Sequence, residues 1–126
     1  MRVFKTKWFT RFARREHLSD EVLKEAIARA ERGLIDADLG GGLIKQRVAR
    51  KGVGRSGGFR TLIAHKQRSR SVFLYGFAKS ERENIEPDEL QALRTLAQRL
   101  LGAEEAELEV MLSNNQLAEV KHEEGK

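Results

Sequence analysis

Cysteine is absent from the chain. That excludes disulfides and thiolate metal sites, and it fits a cytoplasmic protein. Histidine is scarce: His17, His65 and His122 lie 48 and 57 residues apart, so no local zinc motif is present and no metal role is expected. No apolar run approaches the roughly 18 residues that a membrane span needs. The N-terminus carries charges and aromatics, with no apolar signal-peptide core and no small-residue cleavage site. The length of 126 residues suits one domain over 1–126, with a modest core.

Acid is missing from the middle of the chain. Between residues 45 and 80 there are ten Lys and Arg and no Asp or Glu. By thirds, residues 1–44 carry a net charge of +2, residues 45–82 of +10 and residues 83–126 of −7. A block of this kind has a phosphate backbone as its natural partner. The acidic end reads as a solubilising extension over 103–126, or as a screen for the basic face.

The hydrophobic pattern changes period along the chain. "MRVFKT" is a weak edge-strand signal, and Trp8, Phe9, Phe12 and Ala13 stand at helical spacing in a short first helix. A second helix follows Ser19 as cap and stops at Gly33, with Val22, Leu23, Ala26, Ile27 and Ala30 as its buried stripe. The period then becomes 2. In "LIKQRVAR", Ile44, Gln46 and Val48 alternate with Lys45 and Arg47, and in "GFRTLIAHK", Arg60 and Leu62 alternate with Phe59 and Thr61. The apolar run "SVFLYGFA" reads as a buried central strand, with Tyr75 in the core. These segments predict a three-stranded antiparallel meander, with Lys45, Arg47 and Arg60 on one outward face. Ser80 and Glu83 have capping-box spacing and predict a helical turn directly after the last strand. Pro87 then opens a longer helix that ends at Gly102, and "AEEAELEVML" and "QLAEV" suggest a further helix and short strand.

The segment "KGVGRSGG" (51–58) reads as a flexible basic loop. It lacks the terminal Gly-Lys-Ser/Thr of a nucleotide-binding P-loop, and it leads into a strand, where a P-loop or dinucleotide fingerprint leads into a helix. A cradle for a single-stranded backbone is the reading that remains. Arginines and lysines there would stabilise charge developing on a phosphoryl group. They serve proton transfer poorly unless crowding lowers a lysine pKa. His65, the one histidine of the block, reads as structural.

The run "LGGGLIKQRVARKGVGRSGGFRTLIA", then "VFLYGFAKSERENI" and a Leu-rich helix, resembles the RelE/HigB-like toxins of bacterial toxin–antitoxin systems over roughly residues 15–102. The resemblance implies a small α+β domain, with N-terminal helices and a C-terminal helix packed on one side of a twisted antiparallel sheet and a basic concave face on the other. It also implies an mRNA interferase, an endoribonuclease that enters the ribosomal A site, cleaves mRNA and arrests translation. It needs no cofactor and is held by a cognate antitoxin. Lys45 and Arg47 match the family's paired basic residues before the loop, Arg60 the arginine at the scissile phosphate, and Lys79 and Arg82 the basic pair after the last strand. Arg50, Lys51, Arg55 and Lys66 are the further candidates for RNA phosphate contact. The chain departs from the pattern at Ser80 and Glu86, where the family has an arginine and a tyrosine, and it lacks the C-terminal histidines of HigB-type members. The groups that move protons are therefore unassigned. A ParE-like gyrase poison and a non-catalytic nucleic-acid-binding member of the fold are the alternatives.

Overall fold

The computed structural model describes the backbone of residues 1–50 and 54–121, and the side chains of 1–50 and 57–121. In chain order the elements are β1 (Arg2–Thr6), α1 (Lys7–Arg15), α2 (Asp20–Glu31), β2 (Ala37–Gly40), β3 (Leu43–Arg50), β4 (Gly54–Lys66), β5 (Arg70–Ala78), α3 (Pro87–Leu101), α4 (Glu105–Ser113) and β6 (Leu117–Glu119). The architecture is α+β, as expected. One sheet runs β2-β3-β4-β5-β1-β6. The predicted meander forms its centre as β3, β4 and β5, paired antiparallel.

Three differences from expectation have simple causes. β1 is not an edge strand: it lies parallel to β5 and antiparallel to β6, so the sheet is mixed. Val3 and Phe4 are accordingly both buried, one toward each face. Residues 54–58, read as loop, begin β4, with Gly54 paired to Arg50. The turn expected after β5 forms from Ala78, whose carbonyl accepts the Glu81 and Arg82 N–H groups at 2.9 and 3.3 Å, but it has no Ser80–Glu83 box and does not grow into a helix. The helix begins instead at Pro87, where the Glu89 carboxylate accepts the Glu86 N–H at 3.0 Å.

Helices cover both faces of the sheet, not one. The stripes of α1 and α2 (Phe9, Phe12, Leu23, Ile27) pack on Ile44, Val48, Phe59 and Ile63. On the other face Leu43, Leu62, Ala64, Val72 and Leu74 meet Ala97 and Leu100 of α3 and Leu108 and Met111 of α4. Gly76 allows α1 to seat closely, since a Cβ there would stand 2.7 Å from the Phe12 ring. Trp8, assigned to the apolar stripe of α1, is 41% exposed and stacks on Tyr75 at 4.5 Å.

The acidic C-terminal segment is built into the fold through α4 and β6. Its carboxylates pair with arginines of the same face: Glu105, Glu109 and Glu119 with Arg2, Glu105 with Arg70, and Glu107 with Arg99. Arg70 also donates to the carbonyls of Leu100 and Ala103 at 2.8 Å each, tying the end of α3 to β5.

Candidate functional site

Register converts the period-2 pattern into a surface. Lys45 lies opposite Leu62, which lies opposite Tyr75, and Arg47 lies opposite Arg60, which lies opposite Phe77. Lys45, Arg47 and Arg60 therefore share the α3 face, in the part of the sheet that the helix leaves uncovered. Lys79, one residue past the end of β5, completes a cleft of about 460 Å³ with these three cations, Asp36, Glu83 and Asn84. Asp36, Glu83 and Asn84 were not singled out for this site from the sequence. Glu83 is the first acid after Arg82, and that position is the signal it offered.

Four positive side chains thus converge without a carboxylate partner: Lys45, Arg47, Arg60 and Lys79 form no ion pair among the described residues. Arg60 Nη1 is buried and has no acceptor among the described residues. A buried donor without a partner costs about 1–3 kcal/mol. An anion bound in the cleft would supply the missing acceptor.

The backbone beneath these cations is held firmly. Asp36 Oδ2 accepts the Arg47 N–H at 2.6 Å, and the Arg47 carbonyl accepts from the buried Arg29 guanidinium. Gln46, fully buried, points to the opposite face. Its amide donates to the carbonyls of Ala26 and Leu34 and accepts the Asp36 N–H, at 3.0–3.1 Å. Thr61 Oγ1 donates to the Gln46 carbonyl at 2.8 Å. α2, the segment before β2, β3 and β4 are thereby strapped together directly behind the cleft.

Other candidates lie elsewhere. Arg82 is paired with Glu89 at 2.6 Å and donates to the Tyr75 hydroxyl at 3.2 Å and the Asn84 carbonyl at 3.0 Å. The Glu89 hydrogen bond is the main cause of its raised pKa and, reciprocally, of the lowered pKa of Glu89. Arg82 thus pins the segment that carries Lys79 and Glu83. Tyr75 is half-buried and serves this pin as acceptor. Arg50 turns to the α1–α2 face, its guanidinium 5.4 Å from the centre of the Phe59 ring. Lys66 stands six residues beyond Arg60, about 20 Å along the strand. Lys51 and the Arg55 side chain lie outside the described residues.

His65 is a fold element, as expected. Its Nδ1 is 2.7 Å from Ser71 Oγ and its Nε2 is 3.3 Å from Glu31. Burial lowers its pKa, and Glu31 opposes that shift.

No helix among the described residues is long and apolar enough to cross a membrane. No curated protein matches the chain. The sequence does match the family profile described as the RelE toxin of the RelE / RelB toxin-antitoxin system, over residues 1–120, so the match takes in α4 and β6 as well as the cleft. On that match, and with an α+β fold that gathers Lys45, Arg47, Arg60 and Lys79 into one cleft, the chain belongs to the RelE toxin family.

Proposed function

We propose that the cleft binds the phosphodiester backbone of mRNA and cleaves it in the ribosomal A site, with a cognate antitoxin holding the protein inactive between uses. The observation that carries this reading is the convergence of Lys45, Arg47, Arg60 and Lys79 with no ion pair to any of them among the described residues. Glu105, Glu107, Glu109 and Glu119 of the acidic third are engaged by Arg2, Arg70 and Arg99 instead.

Arg60 and Arg47 are placed to stabilise charge on the phosphoryl oxygens as they become crowded in the transition state. Glu83 has no partner in the fold among the described residues, and it is the carboxylate that we assign to the proton of the 2′-hydroxyl. In that step the O2′–P bond forms and the P–O5′ bond breaks. The O2′ proton passes to Glu83, and the Lys79 ammonium delivers a proton to O5′, leaving a 2′,3′-cyclic phosphate and a 5′-hydroxyl. Arg47 and Lys79 are exposed, so the cleft alone does not surround a substrate. In-line geometry then depends on the ribosome orienting the message, a contribution worth many powers of ten when two reactants are held in place.

Cell-free translation with primer extension across the message tests this. Cuts phased to codons and dependent on ribosomes support it. Gyrase-linked DNA breaks without RNA cuts would identify a ParE-like poison, and neither outcome would leave a nucleic-acid binder.

A further inference from the structure

Beside the cationic cleft lies a second cavity of about 210 Å³, which shares Lys45 and Asn84 with it. Its other walls include Leu62, Phe77, Ile85 and Leu90. The chemistry changes abruptly across this boundary, from four cations to aliphatic and aromatic carbon. A phosphate has no use for the second cavity. A nucleobase does: it is flat, largely apolar on its faces, polar at its edge, and tethered to a phosphate one sugar away.

We propose that this cavity is a subsite for one nucleobase of the bound RNA. The assignment rests on the reading of the neighbouring cleft as a phosphate site. Two features favour a base over any other apolar group. The Asn84 side chain makes no hydrogen bond within the fold among the described residues, although its backbone carbonyl accepts from Arg82. A free amide offers a donor and an acceptor together, the pairing that reads a base edge. The Arg82 guanidinium, 5.8 Å from the Phe77 ring centre, fixes the floor of the cavity and the Asn84 backbone at once. The rim that chooses the base is thereby held against the strand that holds the phosphate. This subsite would give the protein a preference for one nucleotide beside the bond it cuts.

The test uses the full-length protein and fluorescein-labelled 2′-O-methyl trinucleotides, which carry the backbone but cannot be cleaved. Anisotropy titrations compare the complete trinucleotide with three versions, each abasic at one position. Loss of one particular base should weaken binding about 5- to 150-fold, the range for a buried or stacked base, while loss of the others changes little. Leu90→Trp, which fills the cavity, should lower affinity for the complete trinucleotide to that of the abasic one and leave the abasic one unchanged. Should Leu90→Trp fail to fold by circular dichroism, Ile85→Trp serves the same purpose. Asn84→Ala should alter the ranking of bases at the sensitive position. Equal affinity for all abasic versions would overturn the subsite, as would a filled cavity that weakens complete and abasic probes alike. Arg60→Ala separates the two levels. If it weakens every probe while the abasic series is flat, only the base subsite falls. If it binds like wild type, or if wild type binds none of the probes, the phosphate reading falls and the subsite with it.

Discussion

Arg47 and Arg60 face each other across the β3–β4 ladder, two like charges at one register position on one face of the sheet. Such a pair opposes folding, and neither guanidinium forms an ion pair among the described residues. Arg60→Met should therefore leave the thermal midpoint equal to wild type or higher, while ribosome-dependent cleavage falls about 10²–10³-fold. Calorimetry and primer extension on the same preparation measure both. A folded Arg60→Met protein that still cleaves at the wild-type rate would refute its assigned role.

Glu83 separates proton transfer from binding. Glu83→Gln removes an acceptor from an exposed position, so the fold and the affinity for programmed ribosomes should be preserved. Its kcat should drop about 10²–10⁴-fold, the usual contribution of a general base. A substrate with a 5′-bridging sulfur, whose leaving group needs no proton, should fail to rescue Glu83→Gln and should rescue Lys79→Met. Rescue in the opposite pattern would exchange the two roles.

Gln46 acts on the cleft from behind. Gln46→Leu strands the carbonyls of Ala26 and Leu34 and the N–H of Asp36, so unfolding should become easier by about 1–3 kcal/mol. Because Asp36 orients β3 at Arg47, cleavage should fall as well, and urea denaturation alongside turnover reads both. Unchanged turnover in a destabilised Gln46→Leu protein would show that this network serves only the fold.

His65 sets a pH dependence of stability. Its folded pKa lies below the ordinary histidine value, so the unfolded chain binds the proton more readily than the folded one. Stability from this site is full above about pH 6.5. It declines as pH falls from there through the lowered folded value. Urea midpoints at pH 7.5 and pH 5.5 should therefore differ more for wild type than for His65→Gln. Equal differences would remove His65 as the cause.

Gly76 tests the packing of α1 on β5. Gly76→Ala forces a methyl against the buried Phe12 ring and should cost about 1–3 kcal/mol. The double variant with Phe12→Leu should cost less than the sum of the two single changes. Strict additivity would mean that the two positions do not press on one another.

Antitoxin capture carries the last test. If acidic segments are steered to the unpaired cleft cations, the association rate should fall steeply with ionic strength while dissociation stays slow. Stopped-flow mixing at low and high salt measures this. A rate that ignores salt would place neutralisation on an apolar surface.

What could be learned from the sequence alone was what neighbouring residues decide. Residues i and i+2 of a strand must share a face, so Lys45 and Arg47 were placed together before any fold was known. The stripes of α2 and α3 were visible for the same reason, each repeat lying within a few residues. Arg50 has the parity of Val48, and it follows that parity to the Phe59 side despite its basic neighbours. Other features depended on chain segments far apart. Pairing of β1 with β5 joins residues about 70 positions away, and nothing in "MRVFKT" names its partner. The closeness of Lys79 to Arg47 requires β3, β4 and β5 in register. Arg82 is withdrawn from the cleft by Glu89, whose position is set by the start of α3. Asp36 and Glu83 became cleft residues only when the segments around the sheet closed over its bare corner. Local stereochemistry wrote the basic strand face; non-local register and loop closure made it a site.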